Sequence, residues 1–351
     1  MRKLASIRRI SEVKAIEGAD KIEAYRVDGW WVVDKVGKYK VNDAVVYFEV
    51  DSFIPNYLAA FLSKGKEPSE YEGIQGERLR TIRLRKQISQ GLIMHPSEIP
   101  DFIHVYYNAS DRHALRKYTY DDVYEEYAEG DDLSESLGII KWEPKLPAQL
   151  AGQVRGVFPS KIPKTDQERV QNIDIEQYHG ETYEVTEKLH GSSCTFYLDK
   201  DGDFHVCSRN YDLKYDESNA YWKAAIKYNA EVEMKRLGLY GYAIQGELCG
   251  EGINGNNYKL GLDFFVFDIY IVGVGYLMPY RRQQLTEELG LKHVPVVDSE
   301  YLLYDTKDAL LAKADGKSVL AGCKREGFVF KSHESDRTFK VVSNDWLLKY
   351  E

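Results

Sequence analysis

The sequence predicts a two-domain α+β protein, with a small β-barrel at the N-terminus followed by a larger domain of antiparallel sheets and helices. Its 351 residues are long for one compact unit. Residues 1–100 contain short strand-like segments separated by turns, whereas residues 154–351 combine further strand-like segments with one clear helix. Residues 101–153 are acidic and contain prolines, so we expect a solvated segment and linker between the two domains.

Six strand-like segments predict the barrel, at residues 4–10, 22–27, 30–33, 44–50, 81–85 and 91–94. In the fifth segment, a strand would place Ile82 and Leu84 on one face and Arg83 and Arg85 on the other. We expect the apolar face to fill the barrel and the two arginines to meet phosphates. The alternative is a charged strand that faces solvent and binds nothing.

Strand-like segments also predict the sheets of the second domain, at residues 183–187, 194–198, 205–208, 242–246, 264–270, 327–330 and 338–342. A helix is expected from an N-cap at Ser218 to residue 237. Trp222, Ile226 and Met234 would share one of its faces, and Gly238 would end it.

Composition and charge argue against several classes of function. A net charge of −9 disfavours a protein that coats nucleic acid, although a nucleic-acid enzyme can concentrate its basic residues locally. No apolar run approaches the ~18 residues of a membrane span, and the N-terminus lacks a signal-peptide pattern. The four cysteines show no metal-binding spacing. We therefore expect reduced thiols in an intracellular protein, cytoplasmic or nuclear, that contacts no membrane.

A lysine before a glycine turn is the first candidate for chemistry. Lys188 ends an apolar strand, and Gly191 follows three residues later. A lysine is a nucleophile only when neutral, and its ordinary pKa of ~10.4 must be offset by burial, neighbouring cations or a bound metal. Taken alone, the string fits a surface lysine before a turn better than a nucleophile.

The order of the downstream motifs changes this interpretation. After Lys188 come SRN at 208–210, QGEL at 245–248, FFVFDI at 264–269, EGFVFK at 326–331 and FKVVS at 339–343. This succession resembles the covalent nucleotidyltransferase superfamily of DNA ligases, RNA ligases and mRNA capping enzymes. The stretch 162–172 resembles the start of RNA ligase catalytic domains, and His190 stands where many DNA ligases and capping enzymes have Asp. The strings at 19–22, 46–49 and 89–92 resemble OB-fold domains, and an OB-like domain before the catalytic one is similar to an RNA ligase subtype.

The resemblance implies a role for each matching residue. Lys188 would attack the α-phosphorus of ATP and hold AMP as a phosphoramidate. The implied nucleotide-binding residues are Glu187, Arg209, Glu247, Phe267, Glu326, Lys340 and, as a weaker candidate, Arg169. Of these, Glu247 and Glu326 would also hold Mg²⁺ or Mn²⁺ through water, Phe267 would stack on adenine, and Lys340 would meet the α-phosphate.

Ordinary structural explanations exist for single residues of this set. Phe267 could belong to the core, Glu247 to a turn, and Arg209 to the surface. His190 is expected to make a local hydrogen bond rather than to bind a metal. The family often carries Lys-x-Lys in the last motif, but Val342 stands at the second position. Either Lys331 or Lys349 replaces that lysine in space, or one phosphate contact is missing.

The resemblance as a whole implies an ATP-dependent RNA ligase with an N-terminal OB-like barrel and a nucleotidyltransferase domain of ATP-grasp-like antiparallel sheets with helices. Its implied substrates are ATP and RNA with 3′-hydroxyl and 5′-phosphate ends, presented as a nicked duplex. Arg83 and Arg85 are the expected RNA-binding residues, and the protein is expected to be a monomer. Two alternatives remain open, namely a DNA ligase or capping guanylyltransferase, and a non-catalytic RNA-binding protein.

Overall fold

The computed structural model describes residues 2–118, 124–143 and 152–350. The chain divides into two compact units, one formed by Met1–Pro144 with Leu348–Glu351 and the other by Lys145–Leu347. In the described parts of the chain, no helix is long and apolar enough to cross a membrane.

The first unit is built from antiparallel strands. They are β1 Ala5–Ala15, β2 Ile22–Val27, β3 Trp30–Lys35, β4 Ala44–Phe48, β5 Ser52–Pro55, β6 Ser69–Tyr71, β7 Ile74–Arg78, β8 Ile82–Leu84, β9 Gln87–Ser89, β10 Leu92–Met94, β11 Phe102–Tyr107, β12 Arg112–Tyr118, β13 Tyr124–Ala128 and β14 Ile140–Lys141. A short helix spans Asn56–Ala59. The sheets have the strand orders β10-β4-β1-β2-β3, β14-β5-β7-β6, β11-β12-β13 and β8-β9.

The long strand β1 organises the predicted barrel. Its first half pairs with β4 and its second half with β2, and a register shift between Ile10 and Glu12 separates the two halves. Such a bulge bends a strand and increases its twist. The bend lets β1 pair with β4 along its first half and with β2 along its second half in a nearly closed sheet. Trp30 and Tyr25 on β3 and β2 are fully buried in the core on one side of this sheet.

Two sequence-based expectations for the first unit are wrong. Ile82 does not fill the barrel, since it is 47% exposed, and β8 ends at Leu84. Arg85 and Lys86 follow with φ values of 49° and 70°, which makes them the two central residues of a tight hairpin turn into β9.

The acidic segment is also more structured than a linker. It contains β11, β12 and β13, and Arg112 and Arg116 of β12 each donate to Glu126 of β13 at 2.7 Å. Glu126 therefore serves as a partner of a basic strand. Asp121, Asp122 and the two prolines of the segment lie outside the described residues.

The second unit combines two sheets with helices. Its strands are β15 Val154–Val157, β16 Thr182–Lys188, β17 Ser192–Leu198, β18 Phe204–Ser208, β19 Tyr211–Leu213, β20 Tyr242–Cys249, β21 Asp263–Ile271, β22 Gly275–Tyr276, β23 Lys292–His293, β24 Val296–Leu302, β25 Gly327–Ser332 and β26 Thr338–Val342. Its helices are Ala220–Lys227, Ala230–Arg236, Pro279–Glu288, Lys307–Ala314 and Asn344–Tyr350, the last of which ends in the first unit. The larger sheet has the order β15-β19-β18-β17-β20-β21-β22 with β23 paired to β21, and the smaller has the order β24-β16-β25-β26.

The predicted single helix is two helices. Asn229 has a left-handed φ of 47° and breaks the helix after Lys227, although the apolar periodicity continues through the break. The N-cap is Asn219, whose side chain accepts the backbone N–H of Tyr221 at 2.8 Å, rather than Ser218. Both helices pack against the larger sheet around Phe196 and other residues of its core.

Candidate active site

The lysine motif lies where the chain leaves the smaller sheet for the larger one. Lys188 is the last residue of β16 and pairs with Gly327 of β25. Three residues later, Gly191 passes so close to β20 that an added Cβ would lie 2.2 Å from the carbonyl oxygen of Leu248. The same added Cβ would lie 3.0 Å from Cγ of Glu247 on that strand. The glycine therefore brings the lysine and the downstream glutamate to one place.

Lys188 is held as an ammonium by two carboxylates. Its Nζ lies 2.5 Å from Oε1 of Glu326, and 28% of its side chain is exposed, so the residue is only partly buried. Burial acts to lower the pKa of Lys188, as does the charge of Arg169. The charges of Glu326 and Glu247 outweigh both and raise the pKa above its ordinary value. Burial and a neighbouring cation thus act in the expected direction, but the carboxylates must be neutralised before the amine can be neutral.

The two carboxylates fit a hydrated cation. Burial raises the pKa of Glu247 to about 7, although Lys188 opposes this shift. Oε2 of Glu326 is buried and accepts no hydrogen bond within the described parts of the chain. In the same parts, no group of three or more His, Cys, Asp or Glu residues could hold a metal directly. The donor set therefore suits an ion that takes its remaining ligands from water and phosphate, as Mg²⁺ often does.

Three cations gather beside this pair. Lys340 on β26 and Arg209, just after β18, both bond to Asp166, at 2.7 Å and 3.3 Å. Arg169 is 5% exposed and forms a β-bridge with Lys340. Burial lowers the pKa of Lys340 to about 8 against the influence of Asp166. The structure thus brings together Lys188, Glu247, Glu326, Lys340 and its neighbours, as the motifs predict.

Phe267 is presented by a bulge. In the pairing of β20 with β21, Gln245 faces Asp268 and Gly246 faces Val266, so Phe267 is the extra residue between them. It is partly exposed, whereas Phe265 on the same face is 4% exposed and packs in the core beneath it. Phe267 therefore lies at the edge of that core cluster, partly buried against it and partly exposed.

Glu187 lies away from the lysine. Adjacent strand residues face opposite sides, and the Glu187 carboxylate accepts the backbone N–H of Val319 at 2.8 Å. Burial raises its pKa, and its other oxygen has no hydrogen-bond partner in the described parts of the chain. Val319 precedes Leu320, which packs against the same core cluster as Phe267.

The two proposed replacements for the missing lysine of the last motif make other contacts. Lys331 is 6% exposed, and its Nζ lies 2.6 Å from Asp268 and donates to the carbonyl oxygen of Phe267. Lys349 lies over the ring of Tyr350 and belongs to the first unit. Lys331 therefore supports the strand beneath Phe267, and Lys340 has Asp166 as its partner.

Two residues near the site have contacts that the sequence did not predict. Asp166 lies within the stretch 162–172, but nothing in its string indicates a bond to Lys340. The ring of His190 packs on Trp346 with ring centroids 4.9 Å apart, and its Nδ1 lies 3.8 Å from Oε2 of Glu326. This separation exceeds a hydrogen bond, so among the described residues the His190 ring contacts Trp346 and makes no local hydrogen bond.

The two arginines proposed for RNA lie in the first unit. Arg83 is on β8 and Arg85 is in the hairpin turn, and both side chains are exposed. The structure places them in one hairpin, although not on the single strand face that the sequence predicts.

The fold agrees with comparisons to known proteins. A family model described as RNA ligase matches residues 181–342, and a model described as an OB-fold domain matches residues 4–96. No curated protein sequence matches significantly.

Among solved structures, a Naegleria gruberi RNA ligase mutant with AMP and Mn is 43% identical, with a TM-score of 0.85 over 99% of this chain and 98% of that one. A second mutant of that ligase with ATP and Mn is 43% identical, with a TM-score of 0.85 over 98% of each chain. The same ligase with PPi is 43% identical, with a TM-score of 0.84 over 99% of this chain and 98% of that one. Three findings agree, namely the geometry of the lysine, carboxylates and cations, the two family models, and the sequence identity over nearly the full length of both chains. The chain therefore belongs to the RNA ligase family.

Proposed function

We propose that the chain seals RNA ends in three steps, in which Lys188 takes AMP from ATP, transfers it to an RNA 5′-phosphate, and a 3′-hydroxyl displaces it. The observation that carries this proposal is the placement of one amine with two carboxylates and three cations in the second unit. ATP and Mn in the similar Naegleria structures support ATP as the nucleotide and Mn²⁺ or Mg²⁺ as the cation.

In the first step, Nζ of Lys188 forms a bond to the α-phosphorus. The bond from that phosphorus to the oxygen bridging to the β-phosphate breaks, and pyrophosphate leaves with the electron pair while Lys188 loses a proton. Lys340, Arg209 and Arg169 carry fixed positive charge toward the phosphates, which offsets the charge that accumulates on the departing oxygens. Phe267 stacks on adenine, and Glu187 supplies a buried acceptor to the nucleotide pocket.

Glu247 and Glu326 would hold the divalent cation, with water supplying its remaining ligands. When bound, the cation supplies positive charge. This charge weakens the attraction of both carboxylates for the Lys188 ammonium and offsets the negative charge of the phosphates. The buried oxygen of Glu326 that has no hydrogen-bond partner among the described residues is the acceptor best suited to such a water ligand.

The substrate is RNA with 3′-hydroxyl and 5′-phosphate ends in a nicked duplex, and the protein acts as an intracellular monomer. The first ~100 residues bind RNA, since OB-type barrels hold nucleic acid through basic and aromatic surfaces. Arg83 and Arg85, both exposed in one hairpin, contact the backbone.

The test is intact-mass spectrometry after incubation with ATP and Mg²⁺ or Mn²⁺. We expect the wild-type protein to gain one AMP, roughly 329 Da, through a covalent lysine intermediate, and Lys188→Ala to gain nothing. A Lys200→Ala variant, at an exposed turn, should be adenylated like the wild type.

Two results would contradict the proposal. A folded protein free of bound AMP that gains no mass would leave a non-catalytic RNA-binding protein. A gain of GMP from GTP instead would indicate a capping enzyme, and sealing of DNA nicks but not RNA nicks would indicate a DNA ligase.

A further inference from the structure

One carboxylate joins two of the cations assigned to the phosphates of ATP. Oδ1 of Asp166 lies 2.7 Å from Nζ of Lys340, and its Oδ2 lies 3.3 Å from a guanidinium nitrogen of Arg209. The Lys340 side chain is 12% exposed, whereas those of Asp166 and Arg209 are 34% and 37% exposed. The carboxylate thus lies at the open side of the cation group.

The position of this carboxylate has an electrostatic consequence. A carboxylate and a phosphate both offer anionic oxygens, so they seek the same N–H donors of Lys340 and Arg209. A phosphate that binds these cations must displace Asp166 or accept its negative charge nearby, and either weakens the binding of a polyanion.

Asp166 is not needed to attach its own loop to the sheet. The backbone N–H of Lys340 donates to the carbonyl oxygen of Glu168 at 2.8 Å. Gln245 donates to the carbonyl oxygen of Pro163 at 3.0 Å, and Lys164 to the side chain of Asn210 at 2.6 Å. The loop is therefore held on both sides of Asp166 by other bonds.

We propose that Asp166 is a positioning residue that competes with the phosphates of ATP and with pyrophosphate for Lys340 and Arg209, and so favours the departure of pyrophosphate once Lys188 carries AMP. This inference rests on the proposed function, because it takes lysyl-AMP formation as the reaction. In the reverse reaction, a pyrophosphate oxygen attacks the α-phosphorus, the N–P bond breaks, Lys188 takes up a proton and ATP forms. By weakening pyrophosphate binding, Asp166 disfavours this reversal.

The test measures both directions of the first step in wild type, Asp166→Asn and Asp166→Glu. The forward assay follows lysyl-AMP formation against ATP concentration, and the reverse assay follows ATP release from the adenylated protein against inorganic pyrophosphate, both with Mg²⁺. We expect Asp166→Asn to lower the half-saturating concentrations of ATP and pyrophosphate about three- to tenfold, because one negative charge near the phosphates is removed. Asp166→Glu should behave like wild type because it keeps the charge.

Asp201→Asn is the matched control, since it removes the same charge from an exposed turn. Melting temperatures show which variants are folded, and Asp166→Ser repeats the test if Asp166→Asn is not. Half-saturating concentrations that stay unchanged or rise in the neutral variants would overturn the inference, because Asp166 would then only hold geometry. A wild-type protein that forms no lysyl-AMP would instead overturn the proposed function, so the two failures are distinguishable.

Discussion

At the scale of single residues, the ion pair of Lys188 with Glu326 bears on the proposed role of a divalent cation. Burial and Arg169 act to lower the pKa of Lys188, whereas the two carboxylates raise it. The effect of the carboxylates is the larger one. Burial alone would not produce a nucleophile here, because both carboxylates oppose its effect on the pKa of Lys188. We expect the amine to become reactive when a further positive charge neutralises the two carboxylates.

A buried histidine gives the second unit a specific dependence on pH. Burial lowers the pKa of His293 from its ordinary 6.5 to about 4, and the nearby charge of Arg282 acts in the same direction. Arg282 donates to Nε2 of His293 at 3.1 Å and also pairs with the buried Glu184. The folded state therefore keeps His293 neutral where the unfolded chain binds a proton.

The sign of this effect follows from linkage. Because the folded pKa is depressed, the stabilisation is fully present above pH 6.5 and is lost as pH falls toward 4. We expect the free energy of unfolding to fall by about 3 kcal/mol over that window, at about 1.4 kcal/mol per pK unit. Urea denaturation across the window measures it, and His293→Gln should flatten the slope. An equally steep slope in the variant would assign it to other groups.

At the scale of secondary-structure elements, the close contact of β20 with β21 depends on a glycine. A Cβ added at Gly246 would lie 2.5 Å from ring atoms of Phe264 and 2.6 Å from the carbonyl oxygen of Phe265. Because these are atoms of an aromatic ring and of the backbone, they cannot move aside as the end of a flexible side chain could. The strand that carries Glu247 and the strand that carries Phe267 can therefore approach each other only without a side chain here.

Gly246→Ala should consequently destabilise the protein. We expect a loss of about 1–3 kcal/mol in the free energy of unfolding, the usual cost of overpacking a close-packed core. Chemical denaturation measures it. Gly261→Ala is the matched control, since an added Cβ there meets nothing within 4 Å. A stability loss equal to the control's would show that the sheet adjusts without strain.

The sequence predicts the order of strands well because their apolar patterns and turn residues are local. It misses the helix break at Asn229 and the turn at Arg85, where single residues adopt positive φ against a continuous pattern. It also does not predict the strands β11 to β13, because their acidic residues suggest a solvated segment. In the structure, Glu126 instead accepts hydrogen bonds from β12.

For the site, too, the sequence predicts what depends on local motifs but not the contacts between residues far apart in the chain. The motif order predicts which residues gather, and the structure places Lys188 on Glu326 across 138 residues of sequence. The bond of Lys340 to Asp166 spans 174 residues and joins a motif to a residue outside the motifs. No local pattern encodes such a contact, since it depends on how β26 and the loop 163–169 meet.

At the scale of the whole molecule, each unit has its own apolar cores. In the first unit, one core lies around Trp30 and another around Leu115. In the second unit, separate clusters surround Phe264, Phe330 and Leu189. A unit with its own core can fold alone in principle. Lys188 and every residue proposed to bind nucleotide lie in the second unit.

We therefore expect a fragment of residues 145–351 to form lysyl-AMP but to lose most of its sealing of nicked RNA, because the proposed RNA-binding residues Arg83 and Arg85 are absent. Mass spectrometry reports the first step, and a gel assay with nicked RNA duplex reports sealing. Circular dichroism establishes folding, and the fragment with Lys188→Ala is the negative control. A folded fragment that takes up no AMP would mean that the first unit contributes to nucleotide chemistry. Undiminished sealing would mean that the second unit holds RNA by itself, and Arg83 and Arg85 would then have no part in substrate binding.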